Sequence, residues 1–159
     1  MALLEQTSIG TFLLAACVLV HVGGVASCAY LLRGLGRRLA HAERSVLSLV
    51  AILTAGTFVL LAAHGVQIWI WAAVIFSLDI VATWEAAGYF AAVSYTTLGY
   101  GDITAGPAYR VLVTFSAMTG LFTFGLSTAV LLAIVLRTMP SILDDGRTAE
   151  PERAAQAPE

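Results

Sequence analysis

Three apolar runs dominate the chain, at roughly 9 to 32, 45 to 76 and 109 to 137, and charged side chains inside them are almost absent. None shows the alternating polar face of a surface helix. Each is longer than the ~20 residues that carry a helix across ~30 Å of hydrocarbon, so each is predicted as a transmembrane helix. The second would reach ~48 Å at 1.5 Å per residue. It is expected to tilt, or to project past Trp69 and Trp71, residues that suit an interfacial belt. Between the second and third runs lies a fourth apolar segment, 84–97, too short to span. It holds no Pro and only Gly88, Thr83 can cap its start, and Glu85 stands in its first turn where a negative charge complements the helix dipole. A short re-entrant helix is predicted there. Beyond Pro140 the apolar pattern gives way to a stretch rich in Ala, Pro, Glu and Asp, and residues 139–159 are predicted as a disordered tail.

Composition sharpens this picture. The chain has 159 residues, of which 59% are hydrophobic and 11% charged; its mean hydropathy is +0.88, outside the range of soluble domains. An all-α integral membrane protein follows. Arg33, Arg37, Arg38 and Arg44 crowd the first connection against only Glu43, which places that connection in the cytoplasm. The amino terminus and the loop near residue 100 then face outward and the tail inward, and Arg137 agrees. Val25 to Cys28 resembles a lipoprotein cleavage box, but no Lys or Arg precedes Arg33, so a signal peptide is not expected. Cys17 and Cys28 would lie ~16 Å apart along one helix, too far for a disulfide. No helix carries arginines at every third position, so no voltage sensor is expected. No zinc-type ligand cluster, nucleophile motif or phosphate loop is present. The chain is therefore not expected to be an enzyme, to carry a cofactor or to bind nucleic acid.

The most specific chemistry lies in Thr97, Leu98, Gly99, Tyr100, Gly101 and Asp102, which read TLGYGD after a further Thr96. A site that strips water from a cation needs successive backbone carbonyls facing one way, whereas an ordinary strand alternates them. Glycine tolerates the left-handed conformations that turn every second carbonyl, which gives Gly99 and Gly101 a mechanical task. The hexapeptide resembles a potassium-channel selectivity filter. The stretch from about Trp84 to Leu136, including GLFTFGLSTAVL from Gly120 to Leu131, is similar to the pore helix, filter and inner helix of prokaryotic potassium channels of the tetrameric pore-loop superfamily.

That resemblance implies three transmembrane helices plus a re-entrant pore helix and filter. Residues 1–44 would form a peripheral helix and basic loop, and 45–138 a pore domain with outer helix 45–76, pore helix 84–97, filter 97–102 and inner helix 109–137. It further implies K+ held by the carbonyls of Thr97, Leu98, Gly99 and Tyr100 with the Thr97 hydroxyl, in a homotetramer in the plasma membrane of a bacterium. Leu98, where the family commonly has Val or Ile, would point from the axis into the pore-helix packing. Tyr89 is placed to hydrogen-bond Asp102 and brace the filter, while Val93 stands where some relatives carry a buried carboxylate, so the brace is lighter. Leu121, Phe124, Thr128 and Leu132 match the row facing the ion cavity and gate, and Gly120 matches a hinge. Ser116, Gly120 and Ser127 are small enough for close helix approach. His21 and His64 fall at similar depth in antiparallel spans, so they can meet, either as an interhelical hydrogen-bonding pair or as a site of pH modulation. Passive K+ conduction is the leading expectation. A weakly selective cation channel and a non-conducting membrane subunit are the alternatives.

Overall fold

The structure, a computed structural model, describes residues 1–39 and 46–155, with side chains for 1–31, 34, 47 and 49–137. It is all-α: α1 (Leu3–Leu39), α2 (Val46–Ser77), α3 (Trp84–Tyr95) and α4 (Arg110–Ala155). Among the described residues three helices are long and apolar enough to cross a membrane, over Leu3–Leu31, Leu49–Ser77 and Arg110–Arg137. α1 packs along α2 and α4, and the short α3 is set against α2 and α4. At 12 residues α3 covers only ~18 Å, about half of a bilayer core.

Helix ends differ from the hydropathy pattern where polar groups find partners. α1 begins at Leu3, ahead of the apolar run, because its polar first turns are used: Glu5 Oε2 accepts from the Ala2 amide at 3.0 Å. Gln6 Oε1 accepts from the amides of Val111 and Leu112 at 3.1 and 3.2 Å, satisfying orphan donors at the start of α4. α1 also continues to Leu39, so Arg33, Arg37 and Arg38 belong to a helix rather than a loop; Glu43 and Arg44 lie outside the described residues. α2 ends in a Schellman-type turn, with Asp79 at φ 52°, Asp79 N bonded to Phe76 O and Ile80 N to Ile75 O. α3 has the expected cap, Thr83 Oγ1 accepting from the Ala86 amide at 3.1 Å. It stops at Tyr95, two residues short of the predicted end, because Thr97 leaves the right-handed region.

Two sequence expectations require correction. α4 does not end near Arg137: it runs through Pro140 to Ala155, into the segment predicted as disordered, and only residues 156–159 of that segment lie outside the described ones. Ala, Leu, Arg and Glu in this stretch are strong helix formers, and this outweighs the interruption at Pro140. Trp71 is not part of an interfacial belt; it is fully buried with Ala72, Ile75, Phe90 and Leu112 in the core where α2, α3 and α4 meet. Positions 69 and 71 are about 200° apart around a helix and cannot share a face. Trp69 faces outward and stacks on Trp84 with ring centroids 5.6 Å apart. Cys17 and Cys28 are free and buried.

Candidate functional site

The loop from α3 to α4 starts with a backbone of alternating hand. Thr97, Gly99 and Gly101 have φ of 60°, 55° and 79°, and no residue between them has positive φ. A left-handed residue at every second position reverses alternate peptide planes, so successive carbonyls line up on one side instead of alternating. The two glycines meet this demand without a Cβ penalty. Thr97, β-branched and left-handed, does not, and its strain is of the order of 1–2 kcal/mol. Glycine content pointed to Gly99 and Gly101; nothing in the sequence pointed to the conformation of Thr97.

The end of α3 fixes this segment from one side. Thr97 N donates to Ser94 O at 3.0 Å, and the Leu98 and Gly99 amides both donate to Val93 O at 3.0 and 3.2 Å. Among the described residues no backbone amide donates to a carbonyl of residues 97–101. The amides therefore serve the helix, and the carbonyls stay free for another acceptor-seeking partner, such as a cation.

Farther along, the Tyr89 hydroxyl donates to Asp102 Oδ2 at 2.7 Å, tying the loop to the first half of α3. That bond, with backbone amides of Ile103 and of Asp102 itself, holds the carboxyl below its ordinary value of 3.8 against a smaller opposing effect of burial. The same bond raises the Tyr89 phenol above its ordinary value. The pair is thus stable as a neutral phenol donating to a carboxylate. Leu98 is 56% exposed and Tyr100 67% exposed. The packing expected of Leu98 against the pore helix is not made among the described residues. A cavity of about 390 Å³ opens beside it, lined by Thr97, Gly99 and Gly101, by Phe90 and Ser94 of α3, and by Val113 of α4.

α4 presents two unlike faces to this region. Leu121, Phe124, Thr128 and Leu132 lie along an exposed row, while Ser116, Thr119, Gly120, Thr123 and Ser127 are buried against the rest of the chain. At Gly120 a Cβ would overlap the Tyr95 carbonyl, so close approach of α3 by itself requires glycine there, whatever bending the position allows. Phe124 is not solely a member of the exposed row: it stacks on His64 with centroids 4.4 Å apart and meets the Tyr95 ring edge-on at 5.8 Å.

His21 and His64 do meet, with ring centroids 4.9 Å apart. They are joined by three groups that hydropathy alone did not single out. His64 Nδ1 is 2.8 Å from Tyr95 Oη, Ser127 Oγ is 2.9 Å from His64 Nε2 and 3.1 Å from His21 Nε2, and Gln67 Nε2 is 3.1 Å from His21 Nδ1. Gln67 had one legible signal, an uncharged polar side chain within an apolar span, whereas Gln6 lies ahead of the apolar run.

A family model described as an ion channel matches residues 47–137, which takes in α2, α3, the loop of alternating hand and α4 to the end of its apolar part. No curated protein and no solved structure matches the chain.

Proposed function

The chain belongs to the ion channel family and is a multi-pass membrane protein, and on that premise we propose that it conducts K+ passively through a homotetrameric pore. The observation that carries this reading is the run of left-handed residues at Thr97, Gly99 and Gly101 within TLGYGD, with the amides of Thr97, Leu98 and Gly99 bonded to the end of α3. Four copies around an axis would bring rings of free carbonyls from Thr97, Leu98, Gly99 and Tyr100, with the Thr97 hydroxyl, to the spacing that replaces water around K+. The exposed Leu98 and Tyr100 and the cavity beside the filter would then pack against a neighbouring copy. The exposed apolar surfaces of α1 and α2 suit lipid, and the arginines of the first connection suit a plasma membrane with the filter and amino terminus outside. Leu121, Phe124, Thr128 and Leu132 would line the inner cavity, with a constriction near Leu132 that closes by dewetting.

His21 and His64 would modulate this pore with pH. The titratable group bonded to the pair is Tyr95 from α3, with Cys17 of α1 in the same core as Tyr95; α2 adds the amide of Gln67, and α4 the Ser127 hydroxyl and the Phe124 ring. Identical current–pH curves for the wild type and a His21→Leu, His64→Leu double mutant would remove that part of the reading. A looser cation channel is the second reading, favoured by the exposure of Leu98 and by an Asp102 brace of one side-chain bond.

The test is cation flux through the purified protein in liposomes loaded with K+, with Na+ outside. Potassium-selective flux that is lost in Gly101→Ala is expected. Equal K+ and Na+ flux favours the second reading, and flux that survives Gly101→Ala unchanged overturns both.

A further inference from the structure

The polar groups buried behind Tyr95 have more order than an interhelical contact requires. The Ala63 carbonyl can only accept, and Gln67 Nε2 donates to it at 3.2 Å, which fixes the amide with its nitrogen toward His21 and its oxygen toward Tyr95. Each hydrogen then has one place. Gln67 Nε2 donates to His21 Nδ1, so a neutral His21 carries its proton on Nε2 and donates to Ser127 Oγ. Ser127 has one hydroxyl hydrogen and gives it to His64 Nε2, so His64 carries its proton on Nδ1 and donates to Tyr95 Oη. Tyr95 donates to Gln67 Oε1 at 3.0 Å, and the circle closes. Thr123 Oγ1, 2.8 Å from Tyr95 Oη, completes that oxygen's surroundings.

We propose that His21, Ser127, His64, Tyr95 and Gln67 form a closed, one-way ring of hydrogen bonds that positions the Thr97 end of the filter, making His21, Gln67 and Ser127 positioning residues for the ion path although none of them touches it. The inference rests on the reading of residues 97–101 as an ion path.

Tyr95 is the link. Its hydroxyl sits in the ring, its carbonyl is seated against Gly120, and the next two residues are Thr96 and Thr97. The ring takes one or more members from each of the four helices, so the depth of the filter relative to α4 depends on α1 through His21. α1 grips α4 at a second place, where Gln6 caps its start. In a hydrocarbon surround the alternative to each ring bond is an unsatisfied buried group, so the bonds act together and opening one loosens the rest.

Two measurements on the full chain in lipid test this. Imidazole nitrogen NMR at neutral pH, assigned with single His→Leu variants, is expected to show opposite tautomers, with the proton on Nε2 of His21 and on Nδ1 of His64. The same tautomer at both positions overturns the ring. Hydrogen exchange at the amides of residues 96–99 is expected to be roughly 2- to 10-fold faster in Tyr95→Phe and in Ser127→Ala, as for loss of one net hydrogen bond, and near wild type in Ser127→Thr, which keeps the hydroxyl. Unchanged exchange in both Tyr95→Phe and Ser127→Ala overturns the positioning role. Where Ser127→Ala gives no intact protein, His21→Leu reads the same coupling from α1, with the same outcomes. Liposome flux separates the two levels: equal passage of K+ and Na+ ends the potassium reading and leaves tautomers and exchange as they stand.

Discussion

Residues 97–101 and the cluster behind Tyr95 are separated by one residue, Thr96, and are built on opposite principles. Residues 97–101 are exposed, carry strain at Thr97 and leave their carbonyls without backbone donors among the described residues. The cluster is buried, and each of its hydrogens has an acceptor within the chain. One region leaves its acceptors open, as the proposed ion path requires. The other closes its hydrogen bonds within the chain, and through Tyr95 it adjoins the open segment. The contrast follows from what each must do, since a carbonyl already satisfied by its own chain has nothing to offer a passing cation.

Gly120→Leu should break the contrast most severely, by driving a side chain into the Tyr95 carbonyl, two residues before Thr97. Overpacking on that scale costs about 3 kcal/mol or more, and loss of the folded protein peak on size-exclusion chromatography is the expected outcome. Tyr95→Phe acts on the buried side alone. It strands the His64 N–H and the Gln67 carbonyl, a cost of about 1–3 kcal/mol that thermal unfolding in detergent should register.

Tyr89→Phe acts on the exposed side. The Asp102 carboxyl is depressed in the folded chain, so the stability from its bond is present above the ordinary value of 3.8 and is lost as pH falls through the lower folded value. Without the phenol, the carboxyl should move back up and the flux should fail at a less acidic pH than in the wild type. A flux–pH curve that does not shift would remove the brace. Thr83→Ala, which takes away the cap of α3, should cost about 1 kcal/mol and leave selectivity intact. The smallest effect is expected for Ser116→Ala: that hydroxyl is buried with no hydrogen-bond partner among the described residues, and its removal should leave thermal stability equal or slightly higher.

The long apolar runs, the short segment between them and the glycines of TLGYGD were readable without coordinates, because a bilayer demands length and low charge and a left-handed backbone demands glycine. The encounter of His21 with His64 was readable from their depth alone. Thr97 was not, since its left-handed conformation is imposed by the amide bonds to Ser94 and Val93 and not by its own preference. Trp71 looked interfacial by residue type, and only its place on the inner face of α2 shows it to be core.

The sequence by itself determined that this chain is a membrane protein with three spans and a filter-like loop, because hydropathy and glycine placement are local properties. Only the tertiary structure decided which polar side chains in those spans act together. A hydrogen bond needs two groups within about 3 Å and correctly aimed, and for residues as far apart as His21 and Ser127 that depends on how the helices pack, not on any property of either segment.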